Sequence, residues 1–298
     1  MQAQLVKKLR DLTGSPIIHC KKALEECKND LALAQEWLRL KGISQAHKKL
    51  QNQTGAGLVS GTLTENAGYL IEVLCETDFV AKTDLFQKFT RDTLLGWSQS
   101  TVGFDQINTI KLPSFSSTIE EAKLHTISKT QENVIIRRGV KYEFGSNAII
   151  GLYLHNTVDN LLGLSGCLLK IKSAEPIKEH LDKVKTLAYQ LSMQVVAGKP
   201  IFLKRDQIPA DFIDKERTAI EQQLDEKTKS KSKEVLENII KSKVEKSLDS
   251  VTLLEQVFMI SEDPEEKLVK KVVQDMSVEI SNQLEIEAYS IFGCENIN

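Results

Sequence analysis

The sequence predicts an α+β protein with three parts: an N-terminal three-helix module, a core of two α+β subdomains, and a coiled-coil-like helical-hairpin excursion. Three observations carry this. Apolar residues recur with helical period over the first 50 positions. From Gly55 onward, short β-type runs alternate with helical stretches. A highly charged segment without aromatic residues or glycine then interrupts the last third of the chain.

In the module, Leu5, Leu9 and Leu12 form one apolar stripe. Thr13-Gly14 is expected to stop this helix, and Ser15-Pro16 to open the next as N-cap and first helical residue. Ala23, Leu24 and Cys27 continue the second face. Asn29-Asp30 breaks and re-caps, and Leu31, Ala34, Trp37 and Leu38 define a third helix expected to end at Gly42. The polar residues Lys48–Thr54 read as a linker or as a helix leading into the next domain.

Leu58–Leu63 and Tyr69–Leu74 read as strands joined by a turn at Glu65–Gly68. Helices are expected from Thr83 to Trp97 and over Thr118–Thr130, with a strand over Val134–Phe144. A second strand pair, Ala148–His155 and Cys167–Ile171, precedes a helix from Pro176 to Ala197. Lys215–Lys246 holds nine basic and seven acidic residues with a thin apolar seam, and predicts a hairpin turning near Lys227–Lys233. A plain surface helix pair and a partner-binding or self-associating arm are equally open there. Ser261–Val272 should hold a last helical turn region, and Leu284–Phe292 a last strand. The expected units are 1–47 (module), 55–145 (first subdomain), 146–208 and 251–298 (second subdomain), and 209–250 (hairpin).

Composition narrows the function. With 41% hydrophobic and 27% charged residues in 298, the chain is neither disordered nor collagenous. The net charge of −2 offers no bulk positive field, so neither nucleic acid nor an anionic membrane is an expected partner. The longest apolar runs, Ala148–Leu154 and Leu161–Leu169, fall short of the roughly 20 residues a membrane helix needs. Five cysteines without a Cys-x-x-Cys imply free thiols in a reducing compartment. Met1–Lys8 resembles neither a secretory signal nor a transit peptide, so any presequence is expected to be missing here.

Chemical motifs are sparse. No phosphate-binding loop occurs, since the single Gly-Lys pair (Gly198-Lys199) runs into Pro200. Gly55, Gly57 and Gly61 do not match a dinucleotide fingerprint. The five histidines stand singly, without metal-ligand spacing, and no cofactor is expected. Cys75 beside Glu76 is the one imaginable nucleophile, and no histidine motif supports it. The chain reads as a binder.

Two blocks resemble a known family. Leu9–Glu26, containing Cys20-Lys21-Lys22-Ala23-Leu24, resembles the N-terminal signature of elongation factor Ts, and Glu72–Ala81, containing Thr77-Asp78-Phe79-Val80, resembles its second signature. The likeness extends through Ile136-Arg137-Arg138, Ala197–Pro200 and Leu253–Phe258, and covers nearly the whole chain. It implies a ubiquitin-associated-like fold for the N-terminal helices. It also implies a non-enzymatic guanine-nucleotide exchange factor that binds elongation factor Tu and releases its GDP in translation elongation. Thr77, Asp78, Phe79 and Val80 match the motif that reaches the partner's GTPase domain near magnesium and the switch region; Arg10, Leu12, Ile17 and Ile18 match further contacts from the module.

Elementary chemistry suits these roles. Mg²⁺ demands near-ideal octahedral geometry, and a ring wedged between partner helices shifts the elements that support it. Without the motif, Phe79 would read as core packing and Asp78 as a helix N-cap. Three departures bear on the reading. The sequence stops at Asn298, where many bacterial members continue into a partner-touching helix, so that contact is expected to be weak or missing. Val158–Leu164 lengthens a hairpin, and Gln45, His47 and Gln51–Gln53 replace common small residues. This divergence points to a mitochondrial matrix member, with a bacterial cytoplasmic one as the alternative. The competing functions are a translation-associated or ubiquitin-like-binding adaptor without exchange activity, and a thiol enzyme using Cys75.

Overall fold

The computed structural model describes residues 2–294 except 14, 16, 226, 227, 229, 230 and 261–266. Gly14, Pro16, Lys227, Ser261 and Glu295–Asn298, which carry parts of the expectations above, lie outside the described residues.

Helices α1 (Gln2–Thr13), α2 (Ile17–Glu26) and α3 (Leu31–Lys49) enclose their own small core of Leu9, Cys20, Ala23, Leu24, Ala34 and Leu38. Asp30 caps α3, its carboxylate accepting from the Leu33 N–H at 2.9 Å. The helix does not end at Gly42. It runs through to Lys49, and Ala46 is buried in the core of the next unit. Gly42 serves close packing there: a Cβ on it would stand 2.3 Å from Ser128 Oγ on helix α6 (Ile119–Thr130).

Strands β1 (Ala56–Leu63) and β2 (Ala67–Cys75) pair antiparallel, with Leu63 opposite Gly68. Thr64 closes the turn, its N–H donating to the Ala67 carbonyl at 2.8 Å. β2 is buried along its whole length, as a central strand should be. Helix α5 (Asp84–Ser98) and α6 cover this sheet, burying Phe86, Phe89, Leu94, Trp97, Ile119 and Ile127. A two-residue ladder, β3 (Lys111–Leu112) with β4 (Ser117–Thr118), precedes α6. Strand β5 (Val134–Glu143) adds to β2 with a bulge at Glu72/Val73.

The second sheet holds β6 (Ala148–His155), β8 (Ser165–Ser173) and β9 (Leu284–Gly293) in the order β6-β8-β9, all antiparallel. Between β6 and β8, the two residues of β7 (Leu162–Gly163) cross to β1, so the first sheet reads β5-β2-β1-β7. Val59, Leu70 and Leu74 of the first sheet meet Ile150, Leu168 and Phe292 of the second in a shared apolar layer. Glu72 is fully buried at this junction. Arg138 donates two bonds to it (2.9 and 2.8 Å), and the Gly293 N–H donates at 3.2 Å. One carboxylate thus ties β2, β5 and β9 together, and its desolvation is offset by charge-assisted bonds.

Helix α7 (Leu181–Gly198) lies on β6, pressed so closely that a Cβ at Gly151 would stand 2.1 Å from the Ala188 carbonyl oxygen. It starts at Leu181 and not at Pro176, because the intervening backbone is engaged elsewhere. The Ile177 N–H donates to the Ser146 carbonyl, and His180 stands in the left-handed region at φ 61°. Helices α8 (Ala210–Gln222) and α9 (Lys233–Ser250) pack together through Ile213 and Ile220 of the first and Ile240, Val244 and Leu248 of the second, with Leu224 just beyond α8. The chain leaves and returns at one place, where the Leu253 N–H donates to the Phe202 carbonyl at 2.8 Å. Helix α10 (Val269–Glu279) leads into β9. Among the described residues no helix is long and apolar enough to cross a membrane.

Candidate functional site

The corner after β2 is held from several directions. Thr77 is extended and caps the one-turn helix α4 (Asp78–Ala81), its hydroxyl accepting from the Val80 N–H at 3.4 Å. The same hydroxyl donates to Glu132 Oε1 (2.7 Å), and the Thr77 N–H donates to Glu132 Oε2 (3.0 Å). Beside them, Glu76 Oε1 accepts from the Asn133 N–H (2.7 Å) and from Asn52 Nδ2 (2.8 Å). Thr83 closes the other end by donating to the Val80 carbonyl at 2.8 Å and capping α5 through the Phe86 N–H.

A single helical turn is unstable alone. Clamped in this way, it points its residues in fixed directions. Val80 and Ala81 turn inward and are buried. Asp78 and Phe79 turn outward, and Phe79 is 77% exposed. Lys82 donates to Asp78 Oδ2 at 2.6 Å, and its ammonium lies 5.9 Å from the Phe79 ring centre.

Two readings that stay open without the motif fall away here, and one expectation changes. Phe79 is not core packing. The N-cap is Thr77 rather than Asp78, which instead occupies the first helical turn, where its charge suits the helix dipole. Val80, expected beside the others at the surface, anchors the corner from below.

The hydrogen bond from Lys82 holds the Asp78 carboxyl below the usual carboxylate range, so this carboxylate is ionised near neutrality and paired with Lys82. Burial pushes the Cys75 thiol up to about 12, and its Sγ donates to the Thr77 carbonyl at 3.1 Å. A thiol so held supplies no thiolate near neutral pH. Glu132, Asn133 and Lys82 escaped the reading of the sequence. Only Lys82, four residues after Asp78, carried a local signal.

On the module, Leu12 is 58%, Ile17 53% and Ile18 79% exposed, and Arg10 is exposed as well. The predicted stripe therefore splits, with Leu9 fully buried and Leu12 facing out. Arg10 and Ile17 line a groove of about 530 Å³ with Val6 and Asp11. Leu12 lines a separate cleft of about 950 Å³ between the module and the core. The described residues contain no group of side chains able to hold a metal.

A family model described as Elongation factor TS matches residues 76–290, opening one residue before Thr77. Curated relatives extend the likeness to the N-terminal helices. Elongation factor Ts of Paramagnetospirillum magneticum is 30% identical over 291 residues, covering 98% of this chain and 90% of that protein. Elongation factor Ts of Ehrlichia chaffeensis is 32% identical, covering 96% of each. That of Rhodospirillum rubrum is also 32% identical, covering 97% of this chain and 91% of the relative. The corner at Thr77–Val80 and nearly all of the surrounding fold lie within these matches: the chain belongs to the elongation factor Ts family of translation elongation factors.

Proposed function

We propose that this chain is a guanine-nucleotide exchange factor that binds elongation factor Tu and promotes release of its GDP. The observation that carries the reading is Phe79, a ring held 77% exposed on a corner whose every other element is clamped. A buried aromatic anchor contributes a few kcal/mol in a partner's pocket, enough to shift the helices that support a bound magnesium ion. Asp78 brings a carboxylate to the same tip, where it competes for donors of the switch region. Arg10, Leu12, Ile17 and Ile18 of a ubiquitin-associated-like module grip the same GTPase domain, and the α8–α9 pair is an arm available to a partner or to a second copy. We take the units as 1–47, 55–145, 146–208, 209–250 and 251–298. The bacterial sources of the relatives favour a bacterial cytoplasm over a mitochondrial matrix. The test is release of labelled GDP from elongation factor Tu. Acceleration by the wild-type chain, lost on replacing Phe79, is the expected result, whereas an adaptor would bind without accelerating release.

A further inference from the structure

We propose that the cleft between the N-terminal helices and the core is a binding site for a small phosphate-bearing ligand, with Lys129 and His125 as its anion contacts. The cleft of about 950 Å³ is lined by Leu12 and Leu38 of the module and by Phe115, His125, Ser128 and Lys129 of the core. His125 and Lys129 lie one turn apart on α6, a spacing that puts their Cβ atoms about 5–6 Å from each other.

The charges around them decide the argument. Glu36 and Arg39 are paired with each other, with N–O distances of 2.8 and 2.7 Å. Lys88 is paired with Asp92 at 2.5 Å. Glu121 is taken up by the capping box of Thr118. Among the described residues, the Lys129 ammonium has no hydrogen bond or ion pair. The His125 ring makes an edge contact with Phe115, at 6.3 Å between centres, and no hydrogen bond or ion pair among the described residues. A half-buried ammonium without a counter-charge is costly to keep. Desolvation lowers the proton affinity of Lys129, with the Cys20 thiol on α2 acting the other way, and partial desolvation and then Lys129 lower that of His125, whose side chain stays exposed at the cleft mouth.

An entering dianion reverses both effects. A phosphate monoester supplies acceptor oxygens for two cations and for the Ser128 hydroxyl, and its organic part meets Leu12, Leu38 and Phe115. A carboxylate is a poorer match for two cations and a hydroxyl. Because the ligand would touch module and core together, its binding stiffens their joint. The proposal is independent of the exchange activity.

The test uses the full chain, titrated calorimetrically with inorganic phosphate, guanosine monophosphate and guanosine, with the His125 ring followed by NMR. Expected are binding of both phosphate compounds in the millimolar range or tighter, and no binding of guanosine. Affinity expressed per phosphate dianion, with the probe's own second ionisation subtracted, should rise from about pH 8 to about pH 6 as His125 takes up a proton. Lys129→Gln should weaken binding at least tenfold, and Lys129→Arg should retain it. The His125 titration needs no variant: its midpoint should move upward when phosphate is bound. Guanosine binding as well as its monophosphate, an unmoved His125 midpoint at saturating phosphate, or wild-type affinity in Lys129→Gln would each overturn the site.

Discussion

At the scale of single residues, an exposed Phe79 forgoes roughly 2 kcal/mol that burying its ring would contribute to folding. The corner's other residues make this tolerable: Val80 is buried, and Thr77 donates two hydrogen bonds to the Glu132 carboxylate. If the ring is a partner anchor, Phe79→Ala should cost about 2 kcal/mol of binding, or roughly 30-fold in stimulated GDP release, with unchanged circular dichroism. Asp78→Ala should slow release in the same direction. Thr77→Ala is expected to act on the fold as well, because it removes a cap and a bond to Glu132 together; urea unfolding should show a loss of about 1–2 kcal/mol. The thiol at Cys75 gives a pH prediction with a definite sign. Its folded value, about 12, lies above the unfolded one, so the stability it contributes is present below the unfolded value. That contribution is lost as pH rises toward the folded value, by up to about 1.4 kcal/mol per pH unit. Urea midpoints at about pH 8 and about pH 10 should therefore diverge less in Cys75→Ala than in wild type.

At the scale of elements, long periodic segments were legible and short or bridging ones were not. Ala148–His155 is a near-continuous apolar run, Leu284–Gly293 opens with apolar–polar alternation, and α5 and α6 carry clear caps at Thr83 and Thr118. By contrast, β7 is two residues long and its partners Val59 and Ser60 lie about a hundred positions earlier, so no local pattern marks it. The one-turn helix α4 depends on Glu132, 55 positions further along the chain. The overrun of α3 has a different cause: glycine usually marks a helix end, but tertiary contact with Ser128 uses Gly42 as a packing position. Magnitudes separate two substitutions there. Gly42→Ala gains about 1 kcal/mol of helix propensity, and the Ser128 hydroxyl can rotate away, so the net change should be small. Gly42→Leu adds three further carbons with no room for them and should cost about 1–3 kcal/mol, loosening α3 from α6. Limited proteolysis should then release the α1–α3 segment faster from Gly42→Leu than from Gly42→Ala. Equal rates would show that this contact does not seat the module.

At the scale of the whole molecule, the exchange reading makes a demand that no list of contacts satisfies by itself. A factor that loosens the partner's nucleotide must be loosened by that nucleotide to the same degree, because the coupling free energy is shared. Asp78 and Phe79 sit together at one tip, braced by β2, β5 and α5, so the tip enters a partner as a rigid body or not at all. Its affinity should therefore be greatest for nucleotide-free elongation factor Tu. It should fall when GDP and Mg²⁺ are present together, and fall less when magnesium is chelated, since on the proposed mechanism the intruding tip acts on the metal's geometry. Coupling strong enough to displace a tightly held nucleotide must exceed the 1–3 kcal/mol or so of ordinary allostery. Titrating the partner in three states (empty, with GDP, and with GDP plus Mg²⁺) should give three affinities separated in that order. In Phe79→Ala the gaps should shrink while the contacts from Ile17 and Ile18 keep a residual, nucleotide-independent affinity. A chain that served only as an adaptor would bind all three states alike, since a ligand indifferent to two states shifts neither.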